Sequence, residues 1–275
     1  DGGNLWTSTS FFVVFDPTRD TQPALERAAR IAAESHAELQ VYACIHADLD
    51  KSADKSQEVR ARINRQDMVL ETSVAPLREQ GIRVATEVEW DRDWCAAAVR
   101  ASIRGGADVV FKSSTRHTAS QRFFNRTSDW TLIRECLCPV LLVKEEADRS
   151  SRNVLAAIDA RDSDENYAQL NRRIIDFSRR VMDNQYAEVH FINAHRDLAS
   201  SPDRNALLRN CGVDSDKVRI RMGEPDDVIV DNARELNASL VIVGNSARSG
   251  LSALVHGNTV EKIVDRVDCD VLSMP

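Results

Sequence analysis

The stretch from Val241 to Ile263 reads VIVGNSARSGLSALVHGNTVEKI. It opens on a β-branched run, Leu240 to Val243, passes through a turn rich in Gly, Asn and Ser, and resumes at Gly257-Asn258-Thr259 as an apolar-periodic helix. Strand, loop and helix in that order are the layout of a phosphate site in an α/β fold. Gly244 and Gly257 can leave the backbone bare and close to a ligand. Ser246, Asn258 and Thr259 can offer side-chain hydrogen bonds, and the amides of the first helical turn point at any anion placed there. The same letters also describe an ordinary helix start capped by Asn or Thr, which is the commoner use of such residues.

Outward from this stretch, strand-like and helix-like segments alternate. Phe11 to Asp16 (FFVVFD) is a continuous apolar run ended by Pro17, and Thr21 to Ser35 follows as a helix with Thr21 as cap, Pro23 in its first turn and an Ala-rich face. Leu39 to Ile45 is the second strand, Lys51 to Gly81 a long amphipathic helix closed by Gln80-Gly81, and Ile82 to Trp90 the third strand. Trp94 to Arg104 is a helix, Asp108 to Phe111 a short strand, and a helix near Asp129 to Cys136, capped by Thr127 or Ser128, leads to a last strand at Val140 to Val143. Such alternation predicts parallel βαβ crossovers and a doubly wound sheet.

The unit then repeats. After the charged linker Lys144 to Asn153, Val154 to Asp159 (VLAAID) restates the first strand with its terminal Asp. Ala187-Glu188-Val189-His190 restates Ala37-Glu38-Leu39-Gln40 at an offset of 150, while Gly212-Val213 and Cys269-Asp270-Val271 restate Gly81-Ile82 and Cys138-Pro139-Val140 at an offset of 131. The second copy is therefore shorter by 19 residues between those points. Only Asn205 to Cys211 stands where the first copy has its long helix, so either most of that helix is lost or residues are missing near Ala199 to Arg204; the second explanation is favoured.

The whole chain has 275 residues, 43% of them hydrophobic, enough for two cores, and its net charge of -7 argues against a general nucleic-acid binder. No apolar run approaches the length of a membrane helix, and the start DGGNLWTSTS does not read as a signal peptide. A cytoplasmic protein is expected. Six scattered cysteines suit a reducing compartment, and Cys136-Leu-Cys138 has no partner pair at zinc-like spacing, so no metal is expected. His195 has no nucleophile, base and acid around it in the sequence and is taken as an exposed structural histidine.

The spacing of the opening stretch is similar to the pattern Gly-x2-Gly-x9-Gly-Ser/Thr of the universal stress proteins, and RSGLSAL, EKIVDR and CDVL resemble that family too. FDPTRDTQPAL at the start and Thr127-Ser128-Asp129-Trp130 in the first copy narrow the resemblance to the tandem E type, over Val13 to Leu272. The resemblance implies two tandem doubly wound parallel five-stranded sheets (11–147 and 148–275, after a disordered or vector-derived start at 1–10), forming a pseudo-two-fold pair through Val140 to Val143 and Val271 to Leu272. Further dimerisation is left open. It also implies a ligand loop around ATP, with an Asp at the end of the first strand near the adenine. Carried onto this chain, the candidate ligand-binding residues are Asp159, Ala194, Gly244, Ser246, Ala247, Gly257, Asn258 and Thr259.

Two positions depart from the pattern. Ala247 stands for the second Gly and Asn258 for the Ser or Thr, and an Ala held at positive φ carries about 1–2 kcal/mol of strain. In the first copy the loop KSSTRHTASQRFFNRT, aligned from Lys112, has no glycine and carries Lys112, Arg116, His117, Arg122 and Arg126 instead. That loop is either a solvated segment or a basic groove for some other anion, the former being commoner. The expected protein is thus a non-catalytic stress-response protein that requires no cofactor and has a second-domain cleft for ATP or another small ligand, with no nucleic acid or membrane as partner. A nucleotide-free scaffold for protein partners is the alternative. A slow ATP hydrolase is the weakest reading, since no Lys follows the glycines as in a P-loop.

Overall fold

The protein is described here by a computed structural model covering residues 9–49, 54–114, 122–160, 165–185, 187–245 and 259–275. The described chain divides into two compact units, with the boundary in sequence between Glu145 and Glu146.

The first unit runs β1 (Ser10–Val14), α1 (Pro23–Ser35), β2 (Glu38–Ile45), α2 (Lys55–Glu79), β3 (Val84–Trp90), α3 (Trp94–Arg104), β4 (Val109–Ser114), α4 (Arg122–Glu135) and β5 (Val140–Lys144). Every strand pair is parallel, in the order β3-β2-β1-β4-β5. Strands β1, β4 and β5 are buried almost throughout because helices cover both faces of such a sheet. Ala24, Ala28, Ala29 and Ala32 of α1 are all buried, and their small side chains bring the helix close to the sheet.

Thr21 does not cap α1. The helix starts at Pro23 after Gln22, and the Thr21 hydroxyl donates instead to Glu145 Oε1 at 2.7 Å. Helix α4 starts at Arg122, so Thr127 and Ser128 lie inside it rather than at its N-cap. The long helix α2 is closed as the sequence suggests. Asp54 accepts from Gln57 N at its start, and Gly81 follows its end at φ +85, a backbone geometry that a side chain disfavours.

The second unit runs β6 (Asn153–Ala157), α5 (Glu165–Gln185), β7 (Glu188–His195), α6 (Arg204–Cys211), β8 (Val218–Met222), α7 (Pro225–Glu235), β9 (Leu240–Gly244), α8 (Thr259–Arg266) and β10 (Asp270–Met274). Its parallel order, β8-β7-β6-β9-β10, reproduces that of the first unit. The strand registers agree with the repeat offsets of 150 at β2/β7 and 131 at β4/β9 and β5/β10. They add one correction. Val218 pairs with Phe191 where Thr86 pairs with Val41, an offset of 132, so the second copy has one residue fewer in the turn between β8 and α7 than the first has between β3 and α3.

Near Ala199 to Arg204, where the change of offset suggests missing residues, the residues present close the crossover with a short helix. A short 3-10 turn, Leu198–Ser200, leads through Ser201 and Pro202 to Asp203, whose carboxylate caps α6 by accepting from the Asn205 and Ala206 amides. The chain is continuous there. Helix α6 has 8 residues where α2 has 25, and Gly212, at φ +66, ends it as Gly81 ends α2. The sheet keeps its order because a crossover needs only enough chain to return to the next strand, not a helix of fixed length.

Among the described residues no helix is long and apolar enough to cross a membrane. His195 is not a loop residue. It ends β7, half-buried, with its carbonyl accepting from Gly223 N at 2.8 Å.

Candidate functional site

In each sheet the crossovers leave the first and fourth strands in opposite directions, which opens a crevice beyond their carboxyl ends. In the second unit this switch point lies between β6 and β9. The chain leaving β6 is held there by hydrogen bonds. Ile158 N donates to Ile192 O at 2.9 Å, and buried Asn193 donates through Nδ2 to Ile158 O at 3.1 Å. Asn171 of α5 then clamps the Asp159 backbone, accepting from its N–H at 3.0 Å and donating to its carbonyl at 2.5 Å. The first unit has the same device in different letters. Gln22 accepts from Asp16 N at 3.1 Å and donates to Asp16 O at 2.7 Å.

Beside Asp159, a cavity of about 170 Å³ lies among β6, β7, β9 and the N-terminal parts of α5, α7 and α8. Asp159, Ala194, Gly244 and Thr259 all line it, so four of the residues proposed from sequence converge on one space. Ser246, Ala247, Gly257 and Asn258 lie outside the described residues. Most of the remaining lining is branched aliphatic; the polar additions are Tyr167 and Asn171. The sequence reading missed this contribution of α5. Tyr167, Leu170, Asn171 and Ile174 sit at helical spacing, which marks one face of a helix but not which end of the sheet that face covers.

Gly244 is bare for a reason unrelated to a ligand. A Cβ built on it would lie 2.5 Å from Leu170 Cδ2 and 3.3 Å from Ile174 Cδ1, so a side chain there would force Leu170 of α5 to shift from its place against β9. Gly244→Ala is expected to destabilise the protein by about 1–3 kcal/mol through overpacking. Urea unfolding of G244A, L170A and the double variant checks this. The double variant should lose less than the sum of the singles, and a neutral G244A would show that packing does not require the glycine.

The first unit answers differently at the same positions. By strand register Ser113, not Lys112, is the counterpart of Gly244, and Lys112 is the counterpart of Val243. Ser113 Oγ accepts from Ala24 N at 3.0 Å and so serves the first turn of α1. Lys112 is neither part of an open basic groove nor solvated. Its ammonium lies 2.5 Å from Asp129 Oδ1, donates to Ser113 O at 3.0 Å and stands 5.8 Å from the centre of the Trp94 ring. Asp129 also accepts from Ser114 Oγ at 2.8 Å and is 4% exposed. Arg116 and His117 lie outside the described residues, while Arg122 and Arg126 belong to α4. Burial pushes the neighbouring Cys95 thiol up to about 12, against the opposing pull of Lys112, so it stays protonated and is a poor nucleophile.

One family model accounts for both units. It describes the universal stress protein family and matches residues 9–144 and again residues 151–275. The chain belongs to the universal stress protein family. Two copies of the family domain stand in tandem in this chain. Universal stress protein E of Photorhabdus laumondii is 26% identical over 298 residues, which span 96% of this chain and 94% of that protein. Universal stress protein E of Escherichia coli K12 is 26% identical over 297 residues, spanning 96% and 92%. The fold is shared with a Pseudomonas aeruginosa PAO1 protein described as functionally unknown, at a TM-score of 0.75 and 24% identity over 98% of this chain and 93% of that one. It is shared equally with a universal stress protein of Archaeoglobus fulgidus, at a TM-score of 0.75 and 16% identity over 98% and 97%. The tandem stress-response type read from sequence is thus the type of this chain.

Proposed function

We propose that this tandem universal stress protein is a non-catalytic, cytoplasmic small-ligand sensor whose second domain holds the ligand. The observation that carries this reading is the cavity at the β6/β9 switch point, where Asp159, Ala194, Gly244 and Thr259 meet. Its volume of about 170 Å³ is below the roughly 300–1,000 Å³ of pockets that enclose a whole drug-sized molecule. It suits a flat, largely apolar ring such as adenine, with a polar edge near Asp159 and Asn171. The phosphates of ATP would lie toward Thr259, in the first turn of α8. The described lining contains one carboxylate and no Lys, Arg, His or Cys, which offers little to a phosphoryl-transfer reaction and favours binding over hydrolysis. The six cysteines are scattered along the chain rather than framed as pairs, which supports a reducing compartment.

Mass spectrometry of the purified protein, native and then denatured, together with titration calorimetry using ATP, tests the reading. One saturable equivalent per chain is expected, and Ala194→Trp, which fills the cavity, should abolish it. No carried ligand and no uptake at millimolar ATP would overturn the nucleotide part.

The scaffold alternative is favoured by one feature of the first unit. A hollow of about 270 Å³ between the ends of α3 and α4 is bordered by Ile103 and Leu137, 49% and 64% exposed, whereas the repeat places Arg234 and Asp268 at the same positions of the second unit. Such a patch suits an apolar side chain of a protein partner. Recovery of the same partners by wild type and A194W in pull-downs would favour that reading.

A further inference from the structure

The two units line their switch points with the same positions and different chemistry. In the second unit Val243, at the end of β9, and Val260, in the first turn of α8, both face the cavity, with Pro225 at the start of α7 beside them. The repeat puts Lys112, Asp129 and Trp94 at those three places in the first unit. Val243 and Val260 both line the cavity with apolar side chains, whereas Lys112 and Asp129 form an ion pair of 2.5 Å. One lining has been exchanged for the other as a set.

We infer that the first domain carries the same cleft as the second, filled from within. The Asp129 carboxylate and Lys112 ammonium, lying beside the Trp94 indole, stand where a small ligand would lie, so the chain presents one open cleft and one latent one. The plug is self-sufficient. Lys112 and Asp129 side chains are only 13% and 6% exposed, and buried charges persist only where partners and hydrogen bonds replace lost water. Asp129 has Lys112 and Ser114; Lys112 has Asp129, the Ser113 carbonyl and the indole face. A ligand entering from solvent would have to separate these charges before gaining any contact. The pair is also neutral as a unit, so it leaves no free charge to attract a phosphate. Conversely, replacing the pair by the two valines of the second domain and shortening the indole should vacate a space of the same kind.

The inference rests on the ligand-cleft reading of the second domain, and the test separates the two. Anilinonaphthalene sulfonate, an amphipathic fluorescent anion, is titrated into wild type, A194W, the triple variant W94A/K112V/D129V, and the same triple variant carrying A194W. One additional equivalent per chain is expected in the triple variant relative to wild type, and it should persist when A194W closes the second cleft. No additional equivalent in a folded triple variant, judged by circular dichroism and a cooperative urea transition, overturns the inference. If the triple variant does not fold, K112V/D129V is titrated in its place, with the same additional equivalent expected. Failure of that variant to fold also overturns the inference, because the pair would then be a requirement of the fold rather than the content of a cleft. Wild type that takes up no probe and no ATP defeats the sensor reading, yet a gain in the opened variants would still support the plug.

Discussion

Lys112→Met lowers the unfolding free energy by about 3–5 kcal/mol, and Asp129→Leu by a similar amount, because each leaves an uncompensated charge in a buried site. The side chains concerned are 13% and 6% exposed, so water cannot readily replace the missing partner. Among the described residues Asp129 would retain the Ser114 hydroxyl, and Lys112 the Ser113 carbonyl and the Trp94 ring. The double variant K112V/D129V behaves differently. It removes both charges together and installs the residues that the second domain uses at the same two positions, so its stability should fall within about 1–2 kcal/mol of wild type, although each single change costs several. Urea unfolding of wild type, K112V, D129V and K112V/D129V, analysed as a double-mutant cycle, measures the coupling. Additive losses would mean that the two side chains do not act as a pair.

Arg149→Met is expected to have an effect of similar size, about 3–5 kcal/mol, in the other domain. Arg149 lies just before β6 and reaches Asp270, the first residue of β10, with a two-pronged contact: Nε to Oδ2 at 2.9 Å and Nη2 to Oδ1 at 2.7 Å. The Asp270 side chain is 1% exposed. A guanidinium fork matches a carboxylate in a way that an ammonium cannot, so Arg149→Lys should restore only part of the loss. Thermal and urea unfolding of R149M, R149K and wild type should rank them in that order of increasing stability. Equal stability of R149M and wild type would show that Asp270 is satisfied without the arginine. Because the protein has two domains, the transitions should be followed by more than one probe, so that partial unfolding of the second domain alone is recognised.

Much of the fold is legible in the sequence because its signals are local. Continuous apolar runs such as Phe11 to Phe15 and Val154 to Ile158 mark strands covered on both faces, and Gly81 and Gly212 mark helix ends that need a left-handed turn. The tandem repeat adds long-range information to a single sequence, since two copies with the same order of elements must solve the same packing problem. Where the reading slipped, it slipped at element ends. Thr21, Thr127 and Ser128 are plausible caps by residue type, but helix starts are settled by which groups the backbone meets, and Thr21 is drawn away by Glu145. The short α6 was read as a sign of missing residues because a lost helix and a missing segment look alike as a change of offset. The path from Leu198 to Cys211, with Asp203 capping the helix, shows that the residues present suffice to close the crossover.

The sequence alone determined the α/β class, the alternation of elements, the repeat and the family, since propensity, periodicity and motif spacing are properties of neighbouring residues. The family resemblance offered Asp159, Ala194, Gly244, Ser246, Ala247, Gly257, Asn258 and Thr259 as candidate ligand contacts, and Asp159, Ala194, Gly244 and Thr259 line one cavity. Tertiary structure decided what those residues do. The seating of α5 on β9 brings Leu170 against Gly244, and the approach of α4 to β4 brings Asp129 to Lys112, turning what reads as one residue of a basic loop into half of a buried pair. Contacts of this kind join residues far apart in the chain, and they are fixed by which strand lies beside which and by which helix covers them. No local pattern in the sequence carries that information, because the free energy of such a contact exists only once the sheet has assembled.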